Sequence, residues 1–277
     1  MPFLNGVTPN LALAVTVVLW LMSVELAKTF RWWTLFGGAR PRFPTCLRAL
    51  VFGQVANQLS PIRAGDAVQV GALVAQGGQL VLGTATMAAA KTMDVFCLAA
   101  IGLMVVGSAA LGQSRLALAG AAVVLAGCLA LVVAGEPLRR QLERLPLARR
   151  LRLGSLIEVG RALREPWVLA AVIGTTAVGW GAGLAANWVV LAAVGITPSL
   201  DLAARMIVVG YLVGVLPAPP ARLGVYEAGV AAALTSGGVP LADAIAAGVV
   251  LHACQLVELG VLAVASLALV RRSKLAS

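Results

Sequence analysis

Histidine is nearly missing from this chain, charge is scarce, and cysteine occurs only in isolation. His252 is the single histidine, and Asp, Glu, Lys and Arg together make up 12% of the 277 residues, about half of the roughly 25% usual in soluble domains. With 60% of residues apolar and a mean hydropathy of +0.95, a water-soluble globular domain is excluded. One histidine leaves too few ligands for a zinc site, so neither a metal nor another cofactor is expected. No close cluster of carboxylates and histidine offers general acid–base chemistry, and an enzyme is not expected. The cysteines, Cys46, Cys97, Cys128 and Cys254, form no CxxC pair and fall mostly in apolar segments, where they read as small buried hydrophobes.

Basic residues are also absent before the first apolar stretch, whereas Lys28, Arg31, Arg40, Arg42 and Arg48 follow it. That order excludes a cleavable signal peptide and describes a retained anchor with the N-terminus outside. The net charge of +10 comes from 21 basic and 11 acidic residues. Nucleic-acid binding would need the basic residues on one solvated face. They cluster instead between long apolar segments, as in the cytoplasmic loops of a polytopic membrane protein.

What the chain has in abundance is apolar segments near the roughly 20 residues that a spanning helix needs. Residues 9–27, 80–111, 116–135, 167–194 and 241–270 qualify as full spans. Two further regions, 46–76 and 202–236, are interrupted, the first by Asn57, Ser60, Pro61, Arg63, Gly65 and Asp66, the second by Pro217, Pro219, Pro220, Arg222, Gly224 and Glu227. Most basic residues lie after the first span, in the linker 136–165 and at the C-terminal end. They share the cytoplasmic side only if each interrupted region is a re-entrant hairpin that returns to its starting side. The linker then reads as a solvated cytoplasmic helix pair, and the C-terminus is cytoplasmic.

The two breaks share a pattern. Pro61-Ile62-Arg63-Ala64-Gly65 and Pro220-Ala221-Arg222-Leu223-Gly224 are both Pro-x-Arg-x-Gly, 159 positions apart. Trp20 and Trp180 are separated by 160, and the pairs Lys91/Asp94 and His252/Gln255 by 161. These offsets indicate an internal duplication: repeat one over 9–111, a connecting span at 116–135 that reverses direction, and repeat two over 167–270. The expected fold is an all-α polytopic membrane protein forming one transmembrane domain, an inverted-topology repeat with two re-entrant broken-helix hairpins. Substrate is expected where the broken helices meet.

Arg63, Lys91 and Arg222 are the basic residues at membrane depth, with Asp66, Asp94, Glu227 and Glu258 as acidic counterparts. Charges there cost several kcal/mol unless paired or wetted. Two readings stand side by side: internal ion pairs such as Arg63 with Asp66 and Lys91 with Asp94, or an anion site in which Arg63 and Arg222 stand beside helix N-termini freed at Pro61/Gly65 and Pro220/Gly224. Asn57 either meets a headgroup or caps the broken helix. His252, Gln255 and Glu258 form a polar stripe suited to proton coupling or to interhelical hydrogen bonds.

The run Asn57 to Asp66, Lys91-x-x-Asp94, and Leu216-Pro217 followed by Pro220 to Glu227 resemble the flippase-like family named after the transmembrane domain of lysylphosphatidylglycerol synthase. The resemblance covers nearly the whole chain, with three departures. The family's usual first span is expected to be absent, since the segment ending Phe30-Arg31-Trp32-Trp33 resembles its second; Pro-Ala-Arg stands where the family often has Pro-Gly-Gly; and no soluble aminoacyl-transferase domain is expected, so lipid synthesis is not implied. The resemblance implies a bacterial inner-membrane protein that moves or handles lipids, such as aminoacylated phosphatidylglycerol or polyprenyl and glycolipid intermediates. The leading expectation is therefore a lipid translocator for an anionic phospholipid or lipid-linked intermediate, with the protein itself, in a homo-oligomer, or a lipid-modifying enzyme as partner. The competing readings are a non-catalytic membrane partner of such an enzyme and an intramembrane enzyme acting on lipid phosphates.

Overall fold

The computed structural model describes residues 11–61, 64–111, 159–214 and 216–275. Eight α-helices lie wholly within these residues, which contain no strand: α1 (Leu11–Thr34), α2 (Phe43–Leu59), α3 (Gly65–Val74), α4 (Leu80–Leu111), α5 (Pro166–Ala193), α6 (Leu200–Val213), α7 (Val225–Thr235) and α8 (Leu241–Leu275). A long helix, a medium one, a short one and a second long one thus follow each other twice. Among the described residues four helices are long and apolar enough to cross a membrane, over Leu11–Thr34, Leu80–Val105, Pro166–Ala193 and Leu241–Ala268. At about 1.5 Å per residue, α2, with 17 residues, falls short of a hydrocarbon core of about 30 Å. Helices α3, α6 and α7 are shorter still.

Local signals set the helix ends. Ser199 caps α6, its hydroxyl accepting from the Leu202 N–H at 3.2 Å. Both short helices end on a left-handed glycine, Gly77 after α3 (φ 89) and Gly238 after α7 (φ 88). The N–H of the residue that follows each glycine returns to a helix carbonyl, Gly78 to Leu73 at 3.0 Å and Val239 to Leu234 at 3.1 Å. This is the Schellman closure that a glycine permits without strain.

The described residues divide into two compact units, one within Met1–Glu25, Val51–Asp66 and Gly179–Ser277, the other within Leu26–Leu50 and Ala67–Val178. The first is built on Val17 of α1, Ala186 and Leu191 of α5, Met206 of α6, Val230 and Leu234 of α7, and Leu251 of α8. The second is built on Trp32, Leu35 and Phe36 with Cys46, Leu73, Leu82, Met93, Leu163 and Val168. Large apolar side chains also line the outsides of the long helices, among them Leu19, Val95, Val178, Val257 and Val264. Apolar stripes of that extent are stable facing lipid rather than water. Cys46, Cys97 and Cys254 are buried, as expected from their surroundings, and form no disulfide with one another.

Three expectations change. The first helix does not stop near residue 27 but continues to Thr34, because nothing between Ala27 and Thr34 breaks a helix before Gly37 and Gly38. Arg31 therefore lies inside α1 and is buried, not in a solvated basic loop. The end of the 136–165 linker is not wholly solvated either, since Val159, Ala162 and Leu163 are buried in the second unit's core. The connecting span 116–135 and the rest of the linker lie outside the described residues.

Candidate functional site

At the first break the chain leaves α2 at Leu59 and re-enters helix at Gly65. Asn57, on the last turn of α2, reaches across the gap, and its Oδ1 accepts the Gly65 N–H at 2.8 Å. That is the capping role that the sequence had left open. The approach is close enough that a methyl group on Gly65 would overlap the Gly53 carbonyl oxygen and the Asn57 amide, so glycine there is a packing requirement. Asp66 occupies the first turn of α3, and Pro61 is exposed. One helix away, Gln54 Nε2 donates to Glu25 Oε2 at 2.6 Å, and Glu25 is buried. Arg63 lies outside the described residues.

At the second break a 3₁₀ turn covers Pro220–Arg222. Ala221 (φ 56) and Arg222 (φ 53) both adopt the left-handed region, followed by Gly224 (φ 81). Such conformations cost about 1–3 kcal/mol each at residues with a Cβ and persist only where the surroundings enforce them. The enforcement is visible downstream. Glu227 Oε2 accepts the Gly224 N–H at 2.8 Å, and Glu227 Oε1 lies 2.8 Å from His252 Nδ1. One carboxylate therefore closes the start of α7 and ties it to α8. Beside it the rings of Tyr226 and His252 pack at 4.7 Å, while Gln255 Nε2 donates to the Tyr226 hydroxyl at 2.8 Å. Gly248 lets the helices approach, since a Cβ there would stand 3.1 Å from the Glu227 carbonyl oxygen. Glu258 lies further along α8 and is buried.

Of the residues singled out from sequence, Asn57, Pro61, Gly65, Asp66, Pro220, Arg222, Gly224, Glu227, His252 and Glu258 fall in the first unit, which thus contains both breaks. Lys91 and Asp94 fall in the second. There Arg31 engages Asp94, which one reading of the sequence had paired with Lys91: Nη2 donates to Asp94 Oδ2 at 2.7 Å, and Arg31 Nη1 to Thr176 Oγ1 at 3.2 Å. The ion pair joins α1, α4 and α5. Sequence reasoning also missed Tyr226 and Glu25. Tyr226 had a signal, a lone aromatic next to the first-turn glutamate of a half-helix.

Among the described residues, four spanning-length helices with apolar outer faces, two shorter helix pairs between them in sequence and paired charges inside define a polytopic helical membrane protein. The chain belongs to the family described as the lysylphosphatidylglycerol synthase transmembrane region, which matches residues 6–263. That family places it among membrane domains of lipid metabolism. No curated protein and no solved structure matches the chain.

Proposed function

We propose that this chain is a lipid translocator that moves an anionic phospholipid or lipid-linked intermediate between leaflets, with no catalytic step of its own. The observation that carries the reading is that both helix breaks lie in one compact unit, because interrupted backbone in a bilayer is tolerated only where protein or a wet cavity surrounds it. The repeated order of helices and the matching glycine closures of α3 and α7 support an inverted repeat with two re-entrant hairpins. In this reading the N-terminus lies outside and the C-terminus in the cytoplasm of a bacterial cell, and Arg63 and Arg222 hold the headgroup as bidentate donors.

The purified chain in vesicles of phosphatidylcholine with a trace of headgroup-compatible fluorescent phosphatidylglycerol tests this. If it translocates, a membrane-impermeant quencher added outside bleaches well over half of the fluorescence. An Arg222→Gln variant of unchanged thermal stability returns the bleaching to the outer-leaflet share. A non-catalytic partner of a lipid-modifying enzyme leaves it at that share in every case, and a lipid-phosphate enzyme changes the headgroup, which mass spectrometry of the extracted lipid reveals.

A further inference from the structure

Among the described residues of the second unit, one basic residue is held in an aromatic setting without an acidic partner. Arg40 lies between the end of α1 and the start of α2, its guanidinium 5.0 Å from the ring centroid of Trp33 and 4.1 Å from that of Trp167. Both rings are fixed by their own donors: Trp33 Nε1 bonds to the Pro41 carbonyl at 2.7 Å and Trp167 Nε1 to Glu165 Oε2 at 2.8 Å. Phe43 meets Trp33 edge-on at 6.2 Å, and Phe30 packs on it at 5.4 Å. Among the described residues Arg40 forms no ion pair, and its buried Nε has no hydrogen-bond partner.

Aromatic faces attract the guanidinium but accept none of its in-plane N–H bonds. Those N–H groups form the fork that matches a phosphate. The cluster sits where α1 ends and α2 and α5 begin, at the ends of long apolar helices, the level at which tryptophan belts and lipid phosphates lie. We propose that Arg40, Trp33 and Trp167 form an interfacial site for the phosphate of an anionic glycerophospholipid of the surrounding leaflet, separate from the transport site. The tryptophans pack against the glycerol and upper acyl chains while Arg40 takes the phosphate oxygens. A tightly held lipid there would lock α1, α2 and α5 together at one membrane face.

The test uses the full chain in detergent, with phosphatidylglycerol or diacylglycerol, which lacks the phosphate, carrying brominated acyl chains as quenchers of tryptophan fluorescence. The Trp167 contribution is the difference between the chain and its Trp167→Phe variant. Brominated phosphatidylglycerol is expected to quench that contribution at concentrations about 10- to 100-fold lower than brominated diacylglycerol, the span of a charge-assisted hydrogen-bond pair. Arg40→Gln should erase the difference between the lipids, Arg40→Lys should retain part of it and serves if the Gln variant does not fold, and Arg42→Gln should leave it. Arg222→Gln should leave it as well, so failure of the transport reading and failure of this one are separable. Equal quenching by the two lipids, an unaffected Arg40→Gln or Arg40→Lys, an equal loss in Arg42→Gln, or displacement by inorganic phosphate at similar concentration would each overturn the proposal.

Discussion

Adding a single methyl group at Gly65 should loosen the first break more than any polar substitution near it. The new carbon has to displace the Gly53 carbonyl oxygen, which is backbone, and the Asn57 side-chain amide, which is held by its bond to the Gly65 N–H. The start of α3 must move away from α2. Overpacking of this kind costs about 1–3 kcal/mol. The movement also stretches the Asn57–Gly65 cap, 2.8 Å long, and a lost cap is worth about 1 kcal/mol. The sum is about 2–4 kcal/mol, and for a chain of this size each kcal/mol lowers Tm by roughly 2–4 °C. Gly65→Ala is thus expected to melt on the order of 10 °C below the parent in detergent. Gly71→Ala on the same helix is the control, because a Cβ there meets nothing within 4 Å. It should melt at or slightly above the parent, since Ala is favoured over Gly in helices by up to about 1 kcal/mol. If Gly65→Ala melts with Gly71→Ala, the close crossing of α2 and α3 does not exist and the cap argument falls with it.

Further expectations concern the buried ion pair and the topology. Arg31→Met and Asp94→Leu should each lose about 3–5 kcal/mol by stranding a charge, while the double variant should recover most of it; unfolding of the double variant as early as the singles would mean that the two do not act as a pair. Cysteines at Ala64 and Ala221 should join through a short crosslinker if the two breaks share a site, and persistent failure in folded protein would separate them. A cysteine in the loop of residues 76–79 should label from the cytoplasmic side only; labelling from outside would make the first hairpin a true span and end the inverted-repeat reading.

The breaks themselves were legible because proline, glycine and charge interrupt apolar runs only at a cost in a bilayer, and the interruptions at Pro61–Asp66 and Pro217–Glu227 overlap the observed gaps between helices, with Asp66 and Glu227 already on the first turns of α3 and α7. Where α1 ends was not legible from hydropathy. Its last turns, Lys28 to Thr34, are polar and aromatic, so a count of apolar residues stops early although no helix breaker is present. That single error moved Arg31 from the helix interior to a loop and hid its pairing with Asp94, a contact between residues 63 apart in sequence. The link from Glu227 to His252 was hidden differently. Both residues were noticed, each as part of its own helix, but only the close approach at Gly248 brings the two helices together.

That link bears on how an anion could bind at the second break. A helix N-terminus attracts anions through its free N–H groups and its dipole, yet here the Gly224 N–H is already bonded to Glu227 and the carboxylate sits on the first turn. The first break is similar, with Gly65 N–H bonded to Asn57 and Asp66 on the first turn of α3. One N–H at each break is thus taken by the chain's own acceptor, and in the proposed reading an anionic headgroup held by the arginines would be opposed by the adjacent acids. Glu227→Gln isolates the opposition, since an amide oxygen still caps Gly224 while the negative charge is gone. Removing one partly screened like charge a few ångströms away is worth about 1 kcal/mol, roughly a fivefold gain in apparent affinity. The half-saturating concentration of fluorescent phosphatidylglycerol in the vesicle assay should therefore fall in Glu227→Gln. If it rises instead, Glu227 assists the headgroup, the site favours a positively charged one, and the assignment of Arg222 as an anion ligand is wrong.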